Sequence, residues 1–166
     1  MIRTVILAVN DEGLESKRVK DSILEIRKLL SPDYFLESEI LTVTDQQALI
    51  RSMLRKLCER NNVDLILTTG GTGMMIKERA PEATKEVIER EVPGLAEYMR
   101  IVGMRHSPRS LLFRGVAGVR NRTLIVNLPG GPKGVKDSLA AIIPAIVPAV
   151  DYLLDQQGAL PEVFNR

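Results

Sequence analysis

The sequence has no tryptophan, one cysteine and one histidine, and aromatic residues make up 4% of its 166 positions. Each scarcity removes a class of function. A lone Cys58 excludes a disulfide within the chain. One Cys and one His leave almost nothing for a zinc site, which draws on several such ligands. A Ser-His-Asp arrangement would have to use His106, and no recognisable motif surrounds it. With so few aromatics there is no stacking platform for single-stranded nucleic acid, so a nucleic-acid partner is not expected. Long apolar runs are missing too. The most apolar stretch, Leu139 to Leu154, carries Pro144, Pro148 and Asp151, so no membrane span is expected. Met1-Ile2-Arg3 runs straight into a strand-like segment with no signal pattern, and a cytoplasmic protein is the natural expectation.

Acidic residues are absent between Glu97 and Asp137. That segment holds Arg100, Arg105, Arg109, Arg114, Arg120, Arg122, Lys133 and Lys136, a local charge of +8 in a chain whose formal net charge is +2. The remainder is therefore acidic, at −6. A concentrated basic zone points to an anionic small molecule or, if no ligand binds there, to a solvated basic face.

What is present is an α/β pattern. Strand-like runs at Ile2–Val9, Tyr34–Val43, Val63–Leu67 and Thr123–Leu128 alternate with helical spacing over Lys17–Leu30, Gln46–Arg60, Glu82–Glu91 and Leu95–Val102. Arg109–Gly118 reads as extended. Lys133–Ile143 and Ala145–Asp155 read as two helical pieces divided at Pro144. Asp45 is placed to cap the Gln46–Arg60 helix. The alternation implies a three-layer α/β/α fold with a mostly parallel sheet, and one domain over residues 1–166. Ligands of such sheets bind beyond the carboxyl ends of the strands. Asn10-Asp11, Thr68–Lys77, Pro129–Lys133 and Asp45 all fall there.

The strongest local signal is Thr68-Thr69-Gly70-Gly71-Thr72-Gly73 between a strand and a helix. Glycines permit positive φ and close backbone approach, so that successive N–H groups can face an anion. The hydroxyls of Thr68, Thr69 and Thr72 are candidate donors. A tight turn that needs glycine for packing alone has the same appearance.

This block does not stand by itself. Pro81-Glu82-Ala83-Thr84, Glu91-Val92-Pro93-Gly94, Arg114 through Ala117-Gly118, and Asn127-Leu128-Pro129-Gly130-Gly131-Pro132-Lys133 follow in order. Together they resemble the molybdenum-cofactor biosynthesis fold family, and most closely the molybdopterin adenylyltransferases, from about residue 2 to residue 155. The resemblance implies transfer of AMP from ATP to the molybdopterin phosphate, with Mg²⁺ and release of pyrophosphate. It implies Asp45 and Glu78 as catalytic carboxylates and Mg²⁺ ligands, and Thr68 to Gly73 as the molybdopterin phosphate loop. Asp11, Ser107, Arg114, Pro129, Gly130, Gly131, Pro132 and Lys133 would complete the nucleotide or pterin pocket. A homotrimer and handover to a molybdenum-insertion protein are implied as partners. The chain departs from the family pattern at Met74-Met75-Ile76, at Glu78 where an aspartate is usual, and at Phe113 and Asn10 where serine is usual. Two other readings stay open: a molybdopterin-binding carrier or regulator without adenylyl transfer, and an oligomeric scaffold of the same fold.

Overall fold

The computed structural model describes residues 1–155. The expectation of one domain over residues 1–166 therefore reaches past the described residues. Six strands form one sheet: β1 (Ile2–Val9), β2 (Phe35–Val43), β3 (Leu65–Thr69), β4 (Arg90–Glu91), β5 (Ala117–Arg120) and β6 (Thr123–Leu128), in the order β2-β1-β3-β6-β5-β4. The first four run parallel, and β5 and β4 close the far edge antiparallel. Five helices cover both faces: α1 (Lys17–Leu29), α2 (Gln47–Cys58), α3 (Ala80–Lys85), α4 (Pro93–Met104) and α5 (Pro132–Leu154).

The alternation of side chains along each strand builds two cores. Ile6 and Ala8 of β1, Leu65 and Leu67 of β3, and Leu124 and Val126 of β6 face α1, α4 and α5. Their neighbours Val5, Leu7, Ile66 and Ile125 face α2 and α3. Strands buried on both sides read as continuous apolar runs, as parallel strands should. This is the expected three-layer fold with a mostly parallel sheet.

Four local expectations are corrected. Residues 109–118 are not extended throughout: Pro108–Leu112 is a short 3-10 helix, begun where the Ser107 hydroxyl accepts the Arg109 N–H at 3.2 Å. The helix expected to run to Glu91 stops at Lys85, because the chain must reach the sheet edge. Glu89 N–H already donates to Val119 O at 2.8 Å, and β4 follows. Asp45 does not cap α2. That helix starts after Gln46 without a side-chain cap, and the Asp45 carboxylate turns away to accept the Arg79 N–H. Pro144 does not divide the last helix: α5 runs unbroken for 23 residues with Pro144 and Pro148 inside it. Their missing N–H groups remove the i to i−4 bonds to the Ala140 and Pro144 carbonyls, and both of those residues are exposed. By length and composition α5 is apolar enough to cross a membrane. One face of it belongs to the core, with Val135, Leu139, Ile142, Ile146 and Val150 buried against α1, α4 and the sheet.

Candidate functional site

The parallel strands β1, β3 and β6 deliver three loops to one edge of the sheet. Two of them are bonded together. Thr69 Oγ1 donates to Pro129 O at 2.7 Å, and a Cβ on Gly130 would sit 3.2 Å from Gly70 Cα. Ser22 of α1 holds the second loop from the other side, its hydroxyl donating to Gly130 O at 2.9 Å. Gly70 and Gly71 have φ of +95° and +70°. A side chain at Gly70 would drive into the Val9 carbonyl oxygen, so position 70 needs glycine for both conformation and space.

These loops floor a cleft of about 930 Å³. Of the residues singled out in the sequence, Asp11, Asp45, Thr69 to Gly73, Glu78, Ser107, Pro129, Gly130, Gly131 and Lys133 line it. Three expected residues do not. Thr68 is fully buried, and its hydroxyl accepts from Asn127 Nδ2 at 2.9 Å, so it cannot serve a ligand. Asn127 also donates to Thr84 Oγ1 at 3.0 Å and accepts the Val116 N–H at 3.1 Å, locking β3, β6 and α3 behind the loop. Pro132 opens α5 at its first turn and lies off the lining. Arg114 stands behind the cleft, with its guanidinium on protein groups: Gly73 O at 2.7 Å, Glu78 O at 2.8 Å and the Glu82 carboxylate.

The basic segment is likewise divided. Arg109 and Lys133 reach the cleft. Arg100 donates to Phe113 O at 3.0 Å and Gly115 O at 3.2 Å, and Arg120 to Val87 O at 2.9 Å, so these two serve the framework. The sequence reading missed Arg18. Its guanidinium lies over the second loop, 3.2 Å from where a Cβ on Gly131 would be, and it lines the cleft. The available signal was its place in the first turn of α1, directly after β1. His106 also lines the cleft, its Nε2 3.9 Å from Asp137 Oδ2. Phe113, in place of the usual serine, lines the cleft and packs under Arg100, whose guanidinium carbon is 5.9 Å from the ring centroid.

The acidic rim is connected. Asp45 N–H donates to Asp11 Oδ1 at 3.1 Å, and Asp45 Oδ1 accepts the Arg79 N–H at 3.0 Å. Lys77 Nζ reaches Asp11 Oδ2 at 3.3 Å. Glu78 folds over Gly73, where a Cβ would collide with its carboxylate, and accepts the Met75 N–H at 2.9 Å. Burial raises the Asp45 pKa, the Arg79 N–H opposes this, and the negative charges of Asp11 and Glu78 raise it further. Asp11 is held low by the Asp45 N–H and by Lys77. Among the described residues no group of three or more His, Cys, Asp or Glu side chains could hold a metal alone. Among the described residues Asp45 Oδ2 has no hydrogen-bond partner, and the side chains of Asp11, Asp45 and Glu78 offer oxygen donors. That donor set fits a hard cation completed by water and substrate phosphates, as Mg²⁺ commonly is.

Residues 5–148 match the family model described as "Probable molybdopterin binding domain". The chain belongs to this family. A molybdopterin adenylyltransferase from Helicobacter pylori J99 is 41% identical over 143 residues, covering 86% of this chain and 78% of that protein. The Haemophilus influenzae molybdopterin adenylyltransferase is 35% identical over 153 residues, covering 84% and 77%. Among solved structures, the molybdopterin biosynthesis enzyme MoaB from Thermus thermophilus superposes with a TM-score of 0.85 at 46% identity, covering 96% of this chain and all of that one. The molybdopterin biosynthesis Mog protein from Mycobacterium ulcerans gives a TM-score of 0.82 at 33% identity over 92% and 99%. In this chain both glycine loops, the Asp11–Asp45–Glu78 rim and the tip residues Met74 and Met75 line one cleft.

Proposed function

We propose that this chain, acting as one domain over residues 1–166, is a molybdopterin adenylyltransferase. The observation that carries the reading is the joined pair of glycine loops, Thr69–Gly73 and Pro129–Gly131, facing the acidic rim across one cleft in a member of this family. A phosphate oxygen of molybdopterin attacks the α-phosphorus of ATP. The bond from that phosphorus to the β,γ-pyrophosphate breaks, a P–O–P link forms, and pyrophosphate leaves. The nucleophile is already anionic, so no strong base is required. The obstacle is bringing two anions together, which preorganised donors and cations lower.

The residues divide this work. Backbone N–H groups of Gly70 to Gly73 and the Thr72 hydroxyl receive the pterin phosphate. Arg18 and Lys133 supply positive charge over the second loop, and elsewhere in the lining Arg109 adds a further cation and Ser107 a hydroxyl donor. Asp45 and Glu78 would hold Mg²⁺. When bound, Mg²⁺ neutralises the phosphates and the leaving pyrophosphate. For Glu78 to take this part its carboxylate must leave the Met75 N–H.

The decisive assay is pyrophosphate release on adding ATP and molybdopterin. Asp45→Asn should lower the rate at least about a hundredfold, the scale of losing one preorganised electrostatic group. Wild-type protein that bound molybdopterin yet released no pyrophosphate would establish the carrier instead. We further propose a cytoplasmic homotrimer that passes its product to a molybdenum-insertion protein. Tyr98, Ile101 and Met104 of α4, with Leu111 and Leu112 beyond, leave large apolar side chains exposed, a surface suited to subunit contact. Sedimentation equilibrium should return three times the 18.4 kDa chain mass, and a monomer at micromolar concentration would exclude the trimer.

A further inference from the structure

The segment from Gly73 to Glu78 has little to hold it in place. Its tip residues Met74, Met75 and Ile76 are 66%, 63% and 87% exposed, so apolar burial contributes almost nothing. The Lys77–Asp11 ion pair is solvent-exposed and correspondingly weak. Yet this segment ends in Glu78 and leads into Arg79, whose N–H fixes Asp45. Within the segment the Glu78 N–H donates to Met75 O at 3.0 Å and the Glu78 carboxylate accepts the Met75 N–H at 2.9 Å, which shapes the turn but does not anchor its ends.

The anchor for those ends comes from outside the cleft. Arg114 Nε donates to Gly73 O at 2.7 Å and its Nη2 to Glu78 O at 2.8 Å, so one guanidinium ties together the two ends of the segment. Its Nη1 is bound by the Glu82 carboxylate in the first turn of α3, and its own backbone N–H donates to Thr72 O at 3.1 Å. Burial works against the charged form of Glu82, but the Arg114 hydrogen bond, the Glu82 N–H and the charges of Arg114 and Arg79 outweigh it and hold the carboxyl below its ordinary pKa. Among the described residues the second carboxylate oxygen, Glu82 Oε2, is buried without a hydrogen-bond partner. Arg114 is thus the one side chain that Glu82 bonds to among the described residues. Three acceptors at divergent positions suit the planar fork of arginine and cannot all be reached by the single ammonium of lysine.

We propose that Arg114 and Glu82 form a positioning clamp that closes the Gly73–Glu78 segment from behind and so sets the reach of Glu78 and Arg79 into the cleft. The proposal rests on the adenylyltransferase reading for its effect on rate. It gives Arg114 a role different from a pocket ligand: it acts on the reaction only through the segment it ties.

Arg114→Lys and Glu82→Gln test it with two readouts, and Glu82→Gln, the milder change, keeps the test open if the arginine variant folds poorly. The first readout uses no substrate. Trypsin cuts after Lys77 and Arg79, and native-state cleavage there should rise about tenfold or more in each variant, since a hydrogen bond to a charged group is worth about that factor. The second is steady-state adenylyl transfer. Here kcat should fall about tenfold or more, the KM for ATP should stay within about twofold, and half-saturation by Mg²⁺ should move to higher concentration. Adding Arg114→Lys to Glu78→Gln should lower kcat by clearly less than the product of the two single losses, because the Glu78 share of the clamp's effect is already gone and only the share through Arg79 and Asp45 remains. Unchanged cleavage with a raised KM for ATP would mean that Arg114 touches substrate, and would overturn the clamp. Faster cleavage with an unaltered kcat would overturn its part in catalysis. Fully additive losses in the double variant would do the same. A wild-type protein that released no pyrophosphate would sink the adenylyltransferase reading, while the cleavage result would still decide whether the clamp holds the segment.

Discussion

At the scale of single residues, polar side chains that look alike in the sequence divide sharply by what surrounds them. Asp64 is 2% exposed at the start of β3, and both its carboxylate oxygens accept from Arg3: Oδ2 from the backbone N–H and Nε at 2.8 Å each, Oδ1 from Nη2 at 2.6 Å. Burial disfavours its charge, but the arginine outweighs this and holds the carboxyl below the usual aspartate range. A depressed pKa stabilises the fold above the unfolded-state value, about 3.9, and the contribution disappears as pH falls through the lower native value. Because Arg3 is about one-third exposed, solvent screens the pair, and Asp64→Asn should cost about 1–2 kcal/mol at neutral pH. Urea titrations between about pH 5 and pH 2 should show a shallower acid loss in the variant than in wild type. The threonines of the glycine block make the same point within the site. Thr72 faces the cleft, Thr69 bonds the neighbouring loop, and Thr68 answers Asn127. Spacing alone could not separate them, since alternation in β3 sends Thr68 and Thr69 to opposite faces and only the pairing partner of each decides its task.

Among the elements, the strands and most helices were legible because their signals are local: apolar runs for strands buried on both faces, and amphipathic spacing for α1 and α2. The failures share a cause, which is tertiary demand over local preference. The 3-10 turn at Pro108–Leu112, the early end of α3 and the two-residue β4 all follow from getting the chain from α3 to the antiparallel edge and back. The continuity of α5 through Pro144 is the clearest case. A proline in a helix interior costs about 3 kcal/mol relative to alanine, yet packing of Leu139, Ile142 and Ile146 holds the helix together across it. Pro144→Ala should restore the bond to the Ala140 carbonyl. Part of that gain is offset by the freer unfolded chain. The net effect should be a stabilisation of about 1–2 kcal/mol, read as a rise in Tm of several degrees. A lower Tm would mean that the proline ring itself makes a contact worth more than the missing bond. The two glycine loops were legible as blocks. The arginine that ties the first of them was placed on the wrong side, because a sequence gives no direction to a long side chain.

For the molecule as a whole, charge was legible in amount and not in placement. The acid-free segment spreads its cations between the cleft wall and the framework, while Arg18 enters the cleft from the opposite end of the chain. What the sheet order does place is one working edge, where loops after β1, β3 and β6 converge. The tip of that edge has a chemical consequence of its own. Met74 and Met75 stand exposed at the mouth of the cleft, whereas Met99 is 1% exposed in the core. A thioether open to solvent is the first to meet peroxide, and its sulfoxide is polar where the side chain was apolar. Mild oxidation followed by peptide mass mapping should therefore mark Met74 and Met75 well before Met99. The apolar lip of the cleft would then be wettable by oxidation and restored by a sulfoxide reductase, so the entrance registers an oxidising environment, together with the exposed Met1 and Met104, before the core does.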